Sequence, residues 1–214
     1  MDLSTDLYFI ALSVIAGANI FFNKDTPRSI KIFVLFLIYT LISEIIATLL
    51  VAQKKHTTTL YNIYGVVQFI FYTYLLSSFI QNKKAVKIGR VIQFLYLILA
   101  IINVLLFQKS TNYNTITYSI GCLIIVAFSI YYFFELFKQK KVVSLLRETP
   151  FWVSTGLLFF FSCSFPLIAT VNIIQNTEEL IINSLQSLLL LMNILLYSLF
   201  TIAFLCRIKI RKFI

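Results

Sequence analysis

The 214-residue chain is 60% hydrophobic and only 12% charged, with a mean hydropathy of +0.92. A water-soluble domain runs at about 45–50% apolar and about 25% charged, so a soluble globular domain is excluded. The net charge of +10 does not signal nucleic acid, because the basic residues of a multipass chain collect in its cytoplasmic loops and meet anionic lipid there.

Apolar segments separated by short polar loops then follow in chain order. The first, 7–22, comes after Asp2 and Asp6 and has no basic stretch before it. It therefore reads as a retained membrane helix rather than a cleavable signal. The second, 32–52, is long enough to cross a bilayer, since about 20 residues rising 1.5 Å each span a core of about 30 Å. The third and fourth are 60–80 and 91–107, with a basic loop from Asn82 to Arg90 between them. The fifth is 115–137, followed by a basic loop that ends at Pro150. The sixth, 151–174, carries Pro166, the one proline well inside a span. A proline there is expected to kink the helix and free a backbone carbonyl near Ser162 and Cys163. The seventh is 182–206, closed by the basic tail Arg207, Lys209, Arg211 and Lys212. Continuous apolar runs of this length are not the alternating ten-residue strands of a β-barrel.

The fold class expected is an all-α integral membrane protein, one seven-transmembrane-helix bundle over 1–214. Alternate loops and the tail hold fifteen Lys and Arg, and the opposite side holds only Lys54, Lys55 and Lys109. The positive-inside rule then sets the N-terminus outside and the C-terminus in the cytoplasm. The loops leave no room for a second folded domain. High Ile, Phe, Tyr, Lys and Asn usage points to an AT-rich bacterial genome, hence the bacterial inner membrane.

Glu44 is the only acid deep inside any apolar run. A carboxyl group in hydrocarbon costs several kcal/mol, so it is expected to face the protein interior and to have partners. Thr40, Ser43, Ala47 and Thr48 share its face by the i, i+3, i+4 rule. The second segment runs outward, which puts Glu44 roughly 20 Å from its cytoplasmic end, just beyond mid-membrane. Three polar stripes reach comparable depth: Tyr61, Tyr64, Gly65, Gln68 and Tyr72; Gln93, Tyr96, Ala100 and Asn103; and Gln186, Asn193, Tyr197 and Thr201. If these faces converge they form a polar pocket for a small molecule or a lipid, with Glu44, Thr40, Thr48, Gln68, Tyr72, Asn103 and Asn193 as ligand-binding candidates. No basic residue lies deep in a span, so Glu44 is expected to be protonated or to hold a cation, with Tyr72, Gln68 and Asn193 as its neutral partners. The same polar residues are also the ordinary glue between membrane helices.

Glu135 sits at the end of the fifth segment, where an interfacial ion pair with Lys138 or Lys140 is expected. Trp152 reads as an interfacial anchor. Cys122, Cys163 and Cys206 all lie inside apolar runs, without metal-ligand spacing, and the lone His56 lies in a loop. No cofactor, metal or catalytic constellation is expected, and the seventh segment lacks the lysine that a retinal Schiff base needs. The chain is not read as an enzyme.

The stretch 150–159, Pro-Phe-Trp-Val-Ser-Thr-Gly-Leu-Leu-Phe, together with Asn-Ile-Leu-Leu-Tyr at 193–197, resembles small seven-helix membrane proteins of bacteria that accompany, or are fused to, sensor histidine kinases. The acidic second segment and the Tyr- and Gln-bearing third fit the same pattern. The resemblance implies a sensory, receptor-like input module. No kinase domain follows Ile214, so output is expected to pass through a partner such as a histidine kinase. The second reading is a small transporter or proton-coupled carrier that uses Glu44, and a third, ranked last, is a membrane-embedded enzyme acting on lipid.

Overall fold

The computed structural model describes residues 3–103, 113–138, 145–174 and 179–210, without the side chains of 3–4, 170–174, 179–183, 186 and 207–210. Among the described residues the structure is all-helical. Seven helices, α1 (Leu3–Phe21), α2 (Arg28–Ala52), α3 (Thr58–Phe79), α4 (Lys83–Ile102), α5 (Thr115–Lys138), α6 (Thr149–Ile174) and α7 (Glu179–Ile210), are joined by short links, one of which holds a 3-10 turn at Leu145–Arg147. Stretches of α2, α4, α5, α6 and α7 are long and apolar enough to cross a membrane, and Thr5–Phe21 of α1 is a shorter apolar stretch. The chain is thus a helical protein of multi-pass membrane character. Large side chains such as Leu35, Ile42, Phe94, Leu99, Ile130 and Leu191 point outward, an apolar surface that suits lipid rather than water.

α3, like α1, is not among those five helices. It packs against α2, α4, α5 and α6. Ten of its residues are buried, polar Gln68, Thr73 and Ser77 among them. These polar side chains, turned toward neighbouring helices rather than lipid, lower the helix's mean hydropathy. α1 and α7 pack outside that group. α1 packs on α2 and α7, α7 on α6, α6 on α5, and α5 on α3, while α4 lies against α3 and α5. The centre is aromatic: Phe33, Phe69, Tyr72, Phe161, Phe200 and Phe204 are all fully enclosed.

Three local devices set the helix ends. The first terminates α2. Lys54 has φ of 56°, the left-handed region. The Lys55 amide donates to the Leu50 carbonyl at 2.9 Å and the Lys54 amide to Val51 at 2.9 Å. This is a Schellman motif with lysine where glycine normally stands. Lys54→Gly should therefore stabilise the protein by about 0.5–1 kcal/mol, read as a higher thermal midpoint in detergent. An unchanged or lower midpoint would show that the left-handed turn carries no strain.

The second device starts α4 two turns earlier than the sequence indicates. Lys83, Lys84, Lys87 and Arg90 read as loop, yet they belong to the first turns of the helix. Asn82 caps it, its side chain accepting from the Lys84 amide at 3.0 Å. The Glu135 carboxylate on α5 accepts from the backbone amides of Gln81 at 2.7 Å and Asn82 at 3.0 Å. Asn82 also donates to the Tyr131 hydroxyl at 2.9 Å. Glu135 thus closes the α3–α4 turn instead of meeting Lys138, whose ammonium lies 5.6 Å from the Phe134 ring centre. Lys140 is outside the described residues.

The third device seats the start of α6. The Thr149 hydroxyl donates to the Ala203 carbonyl at 2.9 Å, and the Trp152 indole donates to the Leu146 carbonyl at 3.0 Å. Trp152 is thereby fixed to the 3-10 turn. The three cysteines are free thiols. Pro166 lies inside the continuous helix α6.

Candidate functional site

Glu44 lies on α2, which runs from Arg28 rather than Ile32. At 1.5 Å per residue it is about 24 Å from the start of the helix and about 12 Å from its end. The extra turn lies at the basic end, so Glu44 sits farther from that end than the sequence segment implies, while its distance from the lysine-poor end is unchanged. Its carboxylate is half-buried and accepts a hydrogen bond from the Tyr61 hydroxyl at 3.1 Å. Tyr61 occupies the first turn of α3, and its ring reaches back along the bundle to the acid.

One helical turn nearer the basic end, the Thr40 hydroxyl donates to its own helix at Phe36 at 3.0 Å and pairs with the Tyr64 hydroxyl at 3.2 Å. A further turn along, polar contacts give way to rings. Phe36 meets Tyr72 at 5.2 Å and stacks on Phe71 at 4.1 Å between centroids. The α2–α3 seam thus grades from a carboxylate pair through a hydroxyl pair into an aromatic core. The period of 3.6 residues in both helices produces this ladder.

α1 and α7 form the matching seam. Asn193 of α7 donates to an Asp6 carboxylate oxygen at 3.5 Å, while the other Asp6 oxygen is buried without a partner. Below it, the buried Ser13 hydroxyl donates to the Tyr197 carbonyl at 2.8 Å and pairs with the Thr201 hydroxyl at 3.0 Å. Tyr197 of α7 lies beside Tyr64 of α3, and that is where the two seams meet. The two seams therefore form one polar cluster held by α1, α2, α3 and α7.

The candidate residues named from the sequence divide between this cluster and other places. Glu44, Thr40 and Asn193 belong to it. Thr48 is half-buried on α2, its hydroxyl returned to the Glu44 carbonyl at 2.8 Å. Gln68 and Tyr72 are buried deeper along α3, where the Tyr72 hydroxyl lies beside Gln68 without a hydrogen bond of regular geometry. Asn103 is elsewhere: it donates to Thr117 at 2.8 Å on the α4–α5 seam. Tyr96 and Gln93 of the same stripe bond to Thr117 and Ile70. The stripes split because α4 packs on the flank of α3 and α5, which turns its polar face away from α2. The side chain of Gln186 is outside the described residues.

Two members of the cluster were not singled out from the sequence. In the sequence Asp6 speaks only against a cleavable signal, although an acid in the first turn of an apolar helix is itself a signal. Tyr61 was in a named stripe but not paired with Glu44. The length of its side chain, added to its place at the start of α3, supplies the missing reach. Among the described residues no three His, Cys, Asp or Glu side chains gather as a metal site.

The cluster offers carboxylate and hydroxyl oxygens at one end of the bundle, with aromatic packing beneath it. Such an arrangement can take up a proton, a small cation or a hydrogen-bonding ligand, and it joins helices whose far ends lie at the basic face. Comparison with family models, curated proteins and solved structures finds no match for this chain.

Proposed function

We propose that the protein is a receptor-like sensor of the bacterial inner membrane, with seven spans, its N-terminus outside and its C-terminus in the cytoplasm. In this reading the cluster around Glu44 receives a small molecule, a lipid or a proton. The resulting shift among α1, α2, α3 and α7 is passed at the basic face to a partner protein such as a histidine kinase. No catalytic step is part of it. The observation that carries it is the Tyr61–Glu44 hydrogen bond, because it makes the one deep acid a joint between two helices.

The alternative, a small or proton-coupled carrier, needs a polar route from one end of the bundle to the other. Beneath the cluster stand Phe33, Phe71, Tyr72, Phe161, Phe200 and Phe204, packed ring against ring. That packing favours the sensor.

Reconstitution separates the two readings. In proteoliposomes carrying a pH-sensitive dye, the wild-type chain should pass no protons above the empty-vesicle rate, with or without an imposed potential. Flux that disappears in Glu44→Gln would replace the sensor with the carrier. Single cysteines at positions 54 and 84 should react with an impermeant reagent from opposite sides of the membrane. Reaction from one side would overturn the seven-span topology.

A further inference from the structure

α4 is the least enclosed of the five long apolar helices, and three contacts fix which way it faces. A Cβ at Gly89 would stand 2.6 Å from the Ser77 hydroxyl oxygen and 3.2 Å from the Phe128 ring. Gln93 donates to the Ile70 carbonyl at 3.2 Å, and Tyr96 to the Thr117 carbonyl at 3.3 Å. Residues 89, 93 and 96, spaced by four and three, therefore mark the face turned to α3 and α5. The same period lines up Lys83, Lys87, Arg90, Phe94, Ile98 and Ile101 on the opposite face. All six are exposed, as is Lys84 beside them.

This outer stripe changes character along its length. The cations occupy about the first 10 Å of a helix about 30 Å long, and apolar side chains follow. A phospholipid lying along a helix has the same profile, a charged headgroup above acyl chains. Arg90 is the innermost cation, flanked by exposed Ile88 and Val91. Its guanidinium is a planar fork that matches two phosphate oxygens, and Lys87, one turn back, adds a point charge. The sequence supplies no local counter-charge, since no acid occurs between Glu44 and Glu135. Both Glu135 oxygens accept the backbone amides of Gln81 and Asn82. A second copy of the chain does not suit this face. A two-fold axis along the membrane normal would set the same cations opposite one another at one depth.

We infer that the outer face of α4 is a binding site for one anionic phospholipid. Its phosphate is held between Lys87 and Arg90, and its acyl chains lie on Phe94, Ile98 and Ile101. A choline headgroup would bring its own cation among these side chains, so the site selects a lipid of net negative charge. The inference goes beyond the sensory reading and does not depend on it. It needs only that α4 crosses the membrane.

The test is native mass spectrometry of the purified full chain in neutral detergent, titrated with phosphatidylglycerol or with phosphatidylcholine of the same acyl chains. Phosphatidylglycerol should bind as a saturable first lipid, and phosphatidylcholine at least about tenfold more weakly. Lys87→Gln with Arg90→Gln should weaken phosphatidylglycerol about twenty-fivefold, about fivefold for each cation removed. Arg90→Lys, which keeps the charge and loses the fork, should weaken it about threefold. The control is Lys24→Gln with Arg28→Gln, which removes one Lys and one Arg from exposed positions at the start of α2 and the link before it. It should change binding by less than about twofold, because distant charges are screened. The single substitution Lys87→Gln serves if the double variant does not fold, folding being judged by circular dichroism. Equal losses from the two double substitutions would mean diffuse attraction to a basic surface and would overturn the site. Equal binding of the two lipids would overturn it as well. A chain that binds no phosphatidylglycerol would also overturn it, and would leave the stripe to a protein partner.

Discussion

Gly121→Ala should destabilise the protein by about 3 kcal/mol, the upper part of the range for overpacking a well-filled core. A Cβ at Gly121 would stand 2.5–2.6 Å from three atoms of the Phe69 ring. The ring cannot retreat. Tyr96, Tyr118 and Phe161 enclose it at centroid distances of 5.7, 4.9 and 5.4 Å. The α3–α5 contact depends on this close approach, so one methyl group must push two helices apart. Gly65 supplies the control on the facing helix. A Cβ there meets only Tyr118 at 3.8 Å, and Gly65→Ala should stabilise by up to about 1 kcal/mol through helix propensity alone. Unfolding of both variants in mixed micelles, followed by circular dichroism, separates the cases. Equal effects of the two substitutions would show that Phe69 does not press on α5.

Phe33→Ala should cost about 3 kcal/mol. Phe33 is fully enclosed and lies 4.9 Å from Phe200 and 5.3 Å from Phe204 between ring centres. In a bilayer, apolar transfer does little to hold helices together, because lipid is as apolar as the core. The loss comes instead from the cavity and from the ring contacts that vanish with it. Phe94 gives the contrast. It is 65% exposed on α4, and Phe94→Ala should change stability by less than about 0.5 kcal/mol, since lipid or detergent fills the space. A large effect at Phe94 would mean that the outer face of α4 is covered by protein.

Much of the architecture was readable because apolar runs of fixed length have few other uses. What escaped notice was set by contacts distant in sequence or by a local exception. Lys83, Lys84, Lys87 and Arg90 read as loop on charge alone. The start of α4 is fixed by a carboxylate more than 50 residues away, Glu135, which takes the amides of Gln81 and Asn82. Lys54 stands in a left-handed turn that composition would assign to glycine or asparagine. α3 falls outside the five long apolar helices because Gln68, Thr73 and Ser77 stand among the residues it buries.

At the site, Glu44 was conspicuous as an acid where acids are costly. Its partner was not, because hydropathy reports depth along a helix and not the direction of a long side chain. Tyr61, at the very start of α3, reaches the acid from above, while Tyr72 lies lower among rings. Asp6 shows the same limit. Only when α1 and α7 are seen side by side does its pairing with Asn193 become visible.

The claim on which the rest stands is that Glu44 is a joint between α2 and α3 and not an isolated acid at a lipid-facing surface. A double-mutant cycle of Glu44→Ala and Tyr61→Phe, measured by reversible unfolding in detergent micelles, reads that joint directly. The two losses should be non-additive, with a coupling of about 1 kcal/mol, within the range seen for hydrogen bonds between membrane helices. Losses that add to within about 0.3 kcal/mol would mean that Tyr61 does not hold Glu44, and would contradict the account.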